Sequence, residues 1–191
     1  MQDARIAILA SGSGTNAEAI IRYFRDHPSI SVAAVLSNKP DAFVLERARS
    51  HGVPTLVFNR HEFYHTTHVA DKLRDMNISH LVLAGFLWLV PENLLEMFPS
   101  RILNIHPALL PAYGGKGMYG MRVHEAVKSS GDTQTGITIH EVTPAYDDGP
   151  VIFQATCAVD EKDSPEAIAE KVHRLEHYHY PRVIEKWINN H

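Results

Sequence analysis

Short apolar runs alternate with segments of helical length through the first half of the chain, and no other feature constrains the fold as strongly. The runs typical of buried strands are residues 5–10, 32–37, 53–58, 81–84 and 102–105. Predicted helices lie between them at residues 17–25, 42–51, 61–76 and 91–97. Gly52 follows the second of these and is a natural helix stop. This alternation predicts right-handed crossovers and a parallel, doubly wound sheet.

After the fifth predicted strand the pattern changes. Residues 107–121 are rich in proline and glycine, and residues 122–130 have the length of a short helix. Two longer alternating runs at 135–142 and 151–159 predict an antiparallel pair added to the sheet. Ser164 and Pro165 supply an N-cap and a first-turn proline for a last helix that reaches Trp187.

Composition narrows the class of protein. With 191 residues, 45% hydrophobic and 21% charged, the chain fits one well-filled domain. Its net charge of −4 argues against nucleic acid as a partner, so anionic ligands would have to be held locally.

The single cysteine, Cys157, lies in an alternating run, where we expect a buried, inert thiol. No apolar stretch approaches the ~18 residues of a membrane span, and the start of the chain lacks a signal-peptide pattern. We therefore expect a cytoplasmic protein.

A glycine-rich loop, Ser11-Gly-Ser-Gly-Thr-Asn16, stands between the first strand and the first helix. Glycines let the backbone turn sharply, and the helix N-terminus offers free N–H groups to an anion. The loop is neither a Gly-x-Gly-x-x-Gly fingerprint nor a Walker loop, because Ala17 follows Asn16 and no lysine follows Gly14. It predicts phosphate binding, although a well-capped turn would also explain it.

Two short segments carry groups suited to acyl transfer. Asn104 and His106 end the fifth strand on the same side, where open α/β sheets bind ligands. Asn104 can donate to an oxyanion, and His106 can exchange a proton near neutral pH. In Asp147-Asp148-Gly149-Pro150, a carboxylate could orient His106, but turn chemistry alone would also account for this segment.

One histidine arrangement matches a metal motif literally. His173-Arg-Leu-Glu176-His177 is an H-x-x-E-H pattern on a predicted helix. A zinc peptidase of this kind needs a third ligand well downstream, and Glu185 is the one carboxylate that follows. We therefore expect no metal, and zinc hydrolysis stays a minor alternative.

Taken together, five segments of the chain resemble the glycinamide ribonucleotide formyltransferases, in the right order and over almost the whole length. They are the glycine-rich loop, Ser37-Asn-Lys39, Leu83-Ala-Gly-Phe86, Asn104-Ile-His-Pro-Ala-Leu-Leu-Pro111 and Asp147-Asp-Gly-Pro-Val-Ile152. The resemblance implies a Rossmann-like doubly wound, mostly parallel sheet with an antiparallel C-terminal strand pair. It also implies one domain over residues 1–191, with a nucleotide- or phosphate-binding half at 1–106 and a folate-binding half at 107–191. The expected oligomeric state is a monomer or a weak homodimer.

The resemblance also implies an activity, the transfer of a formyl group from 10-formyltetrahydrofolate to phosphoribosylglycinamide in purine biosynthesis. A formyltetrahydrofolate hydrolase, an amino-sugar formyltransferase and a non-catalytic nucleotide or anion sensor remain alternatives. The implied catalytic residues are Asn104, His106 and Asp147. Those implied for the ribonucleotide are Ser13, Gly14, Thr15, Asn16 and Glu176. Those implied for folate are Leu87, Trp88, Leu89, Val90, Thr143, Pro144, Ala145 and Tyr146. A cis peptide is implied at Leu110–Pro111.

The chain departs from this family at two places. Trp88 stands where many relatives carry an arginine beside the pterin pocket. The turn after Pro111 is longer than usual, and its glycines around Lys116 predict a mobile flap at residues 113–121. We expect Lys116 on this flap to supplement phosphate binding.

Overall fold

In a computed structural model, residues 3–190 are described, so the two ends of the predicted domain, Met1–Gln2 and His191, lie outside the described residues. The seven strands in this range are β1 (Ala4–Leu9), β2 (Ile30–Ser37), β3 (Thr55–Val57), β4 (His80–Leu83), β5 (Ile102–His106), β6 (Gln134–Glu141) and β7 (Val151–Ala158). The seven helices are α1 (Thr15–Phe24), α2 (Phe43–Ser50), α3 (Arg60–Tyr64), α4 (His68–Asp75), α5 (Glu92–Met97), α6 (Met121–Ser130) and α7 (Pro165–Asn189).

All seven strands form one sheet in the order β3-β2-β1-β4-β5-β6-β7. The first five run parallel, β6 pairs antiparallel with β5, and β7 pairs antiparallel with β6. The predicted doubly wound sheet with its added antiparallel pair is therefore confirmed. The chain order reverses between β1 and β4, which places a crevice at the carboxyl ends of these strands.

Alternation along the strands divides the core between the two faces of the sheet. Ile6 and Ile8 of β1 pack with α1, α2 and α7 on one face, and Ala7 and Leu9 pack with α3, α4 and α5 on the other. Because both faces are covered, the parallel strands are apolar almost throughout. None of the helices among the described residues is long and apolar enough to cross a membrane.

The predicted helix at residues 61–76 is wrong as a single element, because α3 ends at Tyr64 and α4 begins at His68. Thr66 interrupts it. Its hydroxyl donates to the Glu62 carbonyl and accepts from the His68 N–H, so a side chain replaces helical backbone bonding. Cys157 on β7 is half-buried rather than fully buried, and this burial raises the pKa of its thiol.

Long helix α7 returns across the sheet and fixes the strands that carry the crevice. Its first turn is capped by the Ser164 hydroxyl, which accepts from the Ala167 N–H, with Pro165 at the first helical position. The fully buried Tyr180 hydroxyl lies 2.9 Å from the Leu83 carbonyl, at the end of β4, and 3.2 Å from the Leu103 carbonyl, near the start of β5. The predicted N-cap and extent of this helix are confirmed.

Candidate active site

A cavity of about 680 Å³ opens at the carboxyl ends of β1, β4 and β5. The glycine-rich loop, the segment after β4, the end of β5 and the flap contribute residues 11–16, 83–90, 104–107 and 115–120 to its wall. The loop after β6 and helix α7 contribute Thr143, Ala145, Tyr146, Asp147, His173 and Glu176. Every residue predicted for the site lines this cavity except Pro144.

At the centre of the cavity the structure brings together the side chains of Asn104, His106 and Asp147. Strand β5 carries the first two, and the His106 Nδ1 lies 3.5 Å from the Asp147 Oδ2. Asp147 comes from the loop between β6 and β7, where its backbone φ is +53°. A residue other than glycine rarely takes this left-handed conformation, and such residues cluster at functional sites.

A fourth side chain in this cluster, His140, was not predicted. Its register partner across β5 and β6 is Asn104, and its Nε2 lies 3.1 Å from the Asn104 Nδ2. The His140 Nδ1 lies 2.8 Å from the Glu141 carbonyl oxygen, which can only accept. The same Nε2 lies 3.6 Å from the Asp147 Oδ1, so His140 contacts both the Asn104 amide and the Asp147 carboxylate. The Asn104 Nδ2 carries two N–H groups, and at most one of them is directed at His140, which leaves the other for a ligand.

Burial and neighbouring charges act in opposite directions on the pKa of His106 and on the pKa of Asp147. Burial lowers the pKa of His106, while the Asp147 charge and a hydrogen bond to the Tyr113 carbonyl act to raise it. Burial would raise the pKa of Asp147, but His140, His106 and the Gly115 N–H together hold it below its ordinary value. The carboxylate is thus ionised, and it favours the imidazolium form of His106.

Flap backbone contacts both members of this pair. The His106 Nε2 donates to the Tyr113 carbonyl over 2.7 Å, and the Gly115 N–H donates to the Asp147 Oδ2 over 2.9 Å. Tyr113 has a φ of +57°, and its hydroxyl donates to the Asp132 carboxylate at 2.5 Å. The peptide between Leu110 and Pro111, just before this flap, is cis, as the resemblance implies. The flap therefore orients the imidazole and the carboxylate from one side.

Groups suited to an anion lie on the wall of the cavity. Gly14 is the N-cap of α1 with φ +76°, and a Cβ there would lie 2.7 Å from the Val44 Cα, so a side chain does not fit. The α1 N-terminus thus presents backbone to the cavity. Exposed cationic residues on the same cavity wall are Lys39, Lys116 and Arg122.

Beside this N-terminus lies a buried carboxyl group. Glu176 of α7 is 5% exposed, and its Oε2 accepts from the Asn16 Nδ2 over 3.0 Å. Burial raises the pKa of Glu176 to about 7. Glu176 therefore belongs to the wall of this cavity. Within residues 3–190, no three His, Cys, Asp or Glu side chains are grouped so that they could hold a metal ion.

Another part of the cavity wall is apolar. Residues 87–90 form its wall, and the Tyr64 hydroxyl donates to the Leu89 carbonyl over 2.9 Å. Trp88 packs against Phe58 and Phe63, and the Arg60 guanidinium lies 5.6 Å from the centre of the Trp88 ring. A flat aromatic ligand suits such a wall, with polar backbone at its edge.

The sequence matches one family model, whose description is formyl transferase, over residues 4–184. A chloroplastic phosphoribosylglycinamide formyltransferase from Arabidopsis thaliana is 40% identical over 94% of this chain, which spans 64% of the length of that relative. A phosphoribosylglycinamide formyltransferase from Bacillus subtilis is 35% identical over 95% of this chain and 93% of its own length.

Solved structures agree with the sequence relatives. The glycinamide ribonucleotide transformylase 1 of Symbiobacterium toebii superposes with a TM-score of 0.86 and 37% identity, covering 95% of this chain and 86% of that one. The phosphoribosylglycinamide formyltransferase of Bacillus halodurans superposes with a TM-score of 0.84 and 37% identity, covering 95% of this chain and 94% of that one. Fold and site define an α/β protein with a ligand cavity at its strand ends. The chain belongs to the formyl transferase family.

Proposed function

We propose that this protein transfers a formyl group from 10-formyltetrahydrofolate to the amine of phosphoribosylglycinamide, giving the formylated ribonucleotide and tetrahydrofolate. The family assignment supports formyl-folate as the donor, and the names of the relatives from Arabidopsis thaliana and Bacillus subtilis support the acceptor.

The observation that carries this proposal is the position of the cluster formed by Asn104, His106 and Asp147. It shares one cavity with the glycine-rich loop and three cationic side chains, and with an apolar, aromatic wall. A phosphorylated acceptor suits the loop and its cations, and a folate ring suits the apolar wall. With both ligands in this cavity, the cluster is the group that meets the amine of one and the formyl carbon of the other.

The chemical step is a direct transfer without a covalent enzyme intermediate. The neutral amine attacks the formyl carbon, a carbon–nitrogen bond forms, and the carbonyl oxygen becomes an oxyanion. The free N–H of Asn104 and the charge of protonated His106 stabilise this oxyanion. Asp147 stabilises the imidazolium and assists transfer of the proton from the attacking nitrogen to the folate nitrogen. The bond to that nitrogen then breaks and tetrahydrofolate leaves.

The test is the rate of formyl transfer from 10-formyltetrahydrofolate with and without phosphoribosylglycinamide. Turnover that requires the ribonucleotide and falls ~10²-fold or more in His106→Ala supports the proposal. His177→Ala is the matched control, because His177 lies outside this cavity.

Other outcomes would replace the proposal. Release of formate without any acceptor would identify a hydrolase, and transfer to an amino-sugar nucleotide in place of the ribonucleotide would identify a different acceptor. Binding of the ribonucleotide without turnover in any combination would identify a sensor.

A further inference from the structure

Ser11, at the end of β1, carries a buried hydroxyl group that the proposed mechanism does not use. The residue is 3% exposed. The Leu87 N–H donates to the Ser11 Oγ over 3.1 Å, and the Ser11 hydroxyl donates to the Asn38 Oδ1 over 2.7 Å. Because a backbone N–H can only donate, the Ser11 oxygen accepts from Leu87 and its single proton is free for Asn38. One side chain thus joins the segments that follow β1, β2 and β4.

The backbone ladder between β1 and β4 ends where these side-chain contacts begin. The Ala84 N–H donates to the Leu9 carbonyl, and the Ser11 N–H donates to the Gly85 carbonyl. The chain then bends at residues 84–85, where Gly85 has a φ of +74°, a conformation that favours glycine. Beyond this bend the Leu87 N–H does not continue the ladder, and the Ser11 hydroxyl supplies its acceptor.

The two segments that Ser11 joins are the ones proposed to hold the two ligands. Residues 13–16, proposed for the acceptor, continue directly from Ser11, and residues 87–90, proposed for folate, form the apolar wall. Each segment also has an anchor of its own. The Arg47 Nε donates to a carbonyl of the first segment over 2.8 Å, and the Tyr64 hydroxyl donates to a carbonyl of the second over 2.9 Å. Ser11 instead connects one segment to the other, so its loss should change their separation more than the shape of either.

We propose that Ser11 is a positioning residue that fixes the distance between the bound acceptor and the bound formyl donor. This inference rests on the proposed function and deepens it. Transfer requires the amine and the formyl carbon to approach within about 3–3.5 Å of each other, and each of the two ligands is held by a different segment. The Ser11 hydroxyl is engaged by Leu87 and Asn38, so it acts through the backbone and not on the reacting atoms.

Ser11→Ala removes the hydroxyl and leaves the backbone contacts in place. With 10-formyltetrahydrofolate and phosphoribosylglycinamide as substrates, kcat should fall roughly 5- to 30-fold, whereas the KM of each substrate should change less than about threefold. Ser79→Ala is the matched control, because the Ser79 hydroxyl joins β1 and β4 at their opposite, amino ends. It accepts from the Arg5 N–H over 2.9 Å and donates to the Arg5 carbonyl over 3.2 Å. This variant should keep the kcat of wild type, whatever its loss of stability in urea.

Binding measurements separate the position of the two segments from damage to either one. The probe is a stable adduct in which one carbon joins the acceptor amine to the folate nitrogen, so that it occupies both segments at a fixed separation. Calorimetry should show that Ser11→Ala binds this adduct roughly 5- to 30-fold more weakly than wild type does, because a less preorganised site must be ordered on binding. The affinities for phosphoribosylglycinamide alone and for tetrahydrofolate alone should change less than about threefold.

Three results would overturn this inference. One is a kcat of wild-type size in Ser11→Ala, and another is an equal fall of kcat in Ser11→Ala and Ser79→Ala. The third is a loss of affinity for one ligand alone that accounts for the whole loss with the adduct, since Ser11 would then shape one segment and not the separation of the two. No transfer by wild type would instead refute the proposed function.

Discussion

Replacing Asp147 with asparagine removes the charge beside His106 and keeps the shape of the side chain. The Asp147 Oδ2 lies 3.5 Å from the His106 Nδ1. At that separation the attraction between unit charges is about 1 kcal/mol at a dielectric constant near 80 and about 5 kcal/mol near 20. The pKa of His106, which burial already lowers, should therefore fall by about one to three further units in Asp147→Asn.

This shift has a direct consequence for the rate if protonated His106 stabilises the oxyanion. The falling limb of kcat against pH should move to lower pH by the same one to three units. At a pH above both values, kcat should drop roughly tenfold for each unit. Nuclear magnetic resonance of isotope-labelled histidine gives the pKa directly, with His106→Gln identifying the signal.

Asp148→Asn is the matched control for this prediction, because Asp148 is the exposed neighbour and loses the same charge. It should leave both the His106 signal and the rate profile in place. An Asp147→Asn protein in which the pKa of His106 does not move would refute the electrostatic argument. If the pKa of His106 falls but the dependence of kcat on pH does not shift, protonated His106 does not take part in the mechanism.

Three further predictions concern the cavity wall and the flap. The pKa of Glu176 is raised from 4.5 to about 7 in the folded protein, so its carboxyl group destabilises the fold increasingly as pH rises through that interval. Urea unfolding should show Glu176→Gln gaining stability relative to wild type, by on the order of 3 kcal/mol above pH 7 and little below pH 4.5; a constant difference would contradict this. Gly14→Ala should lower the free energy of unfolding by about 1–3 kcal/mol, whereas Gly12→Ala, where a Cβ meets open space, should change it far less. Tyr113→Phe removes the contacts that the Tyr113 hydroxyl makes with Asp132 and Ser130 and should lower kcat roughly 3- to 10-fold. Asp132→Ala, which removes one acceptor, should lower kcat in the same direction, and full activity in both variants would show that this anchor of the flap does not contribute to catalysis.

Much of the fold could be predicted because its strands are buried on both faces and are therefore apolar without interruption. The same property located Asn104 and His106, since polar side chains at the end of such a strand have few structural reasons to be there. The helix predicted at residues 61–76 was wrong because the Thr66 hydroxyl competes with the backbone, and periodicity does not record that competition.

Residues of the site that depend on pairing between distant segments could not be found from local pattern. His140 occupies an ordinary position in an alternating strand, and only the register of β6 against β5 places it opposite Asn104. Knowing that the two strands are antiparallel does not fix this register, because a shift of one residue would turn His140 to the other face of the sheet. The role of Glu176 was ambiguous for the same reason. The H-x-x-E-H spacing on α7 does not reveal that Asn16, which is distant in sequence, donates a hydrogen bond to this carboxyl group.

The hydrogen bond between Asn16 and Glu176 joins positions that are 160 residues apart. During synthesis the parallel strands can begin to pair long before α7 exists, but the cavity then lacks the wall that carries Glu176. Tyr180, also on α7, contacts β4 and β5 from the same late segment. A ribosome-bound chain is therefore expected to be inactive until its last helix has emerged and docked, and ligand added during translation could stabilise only the finished protein.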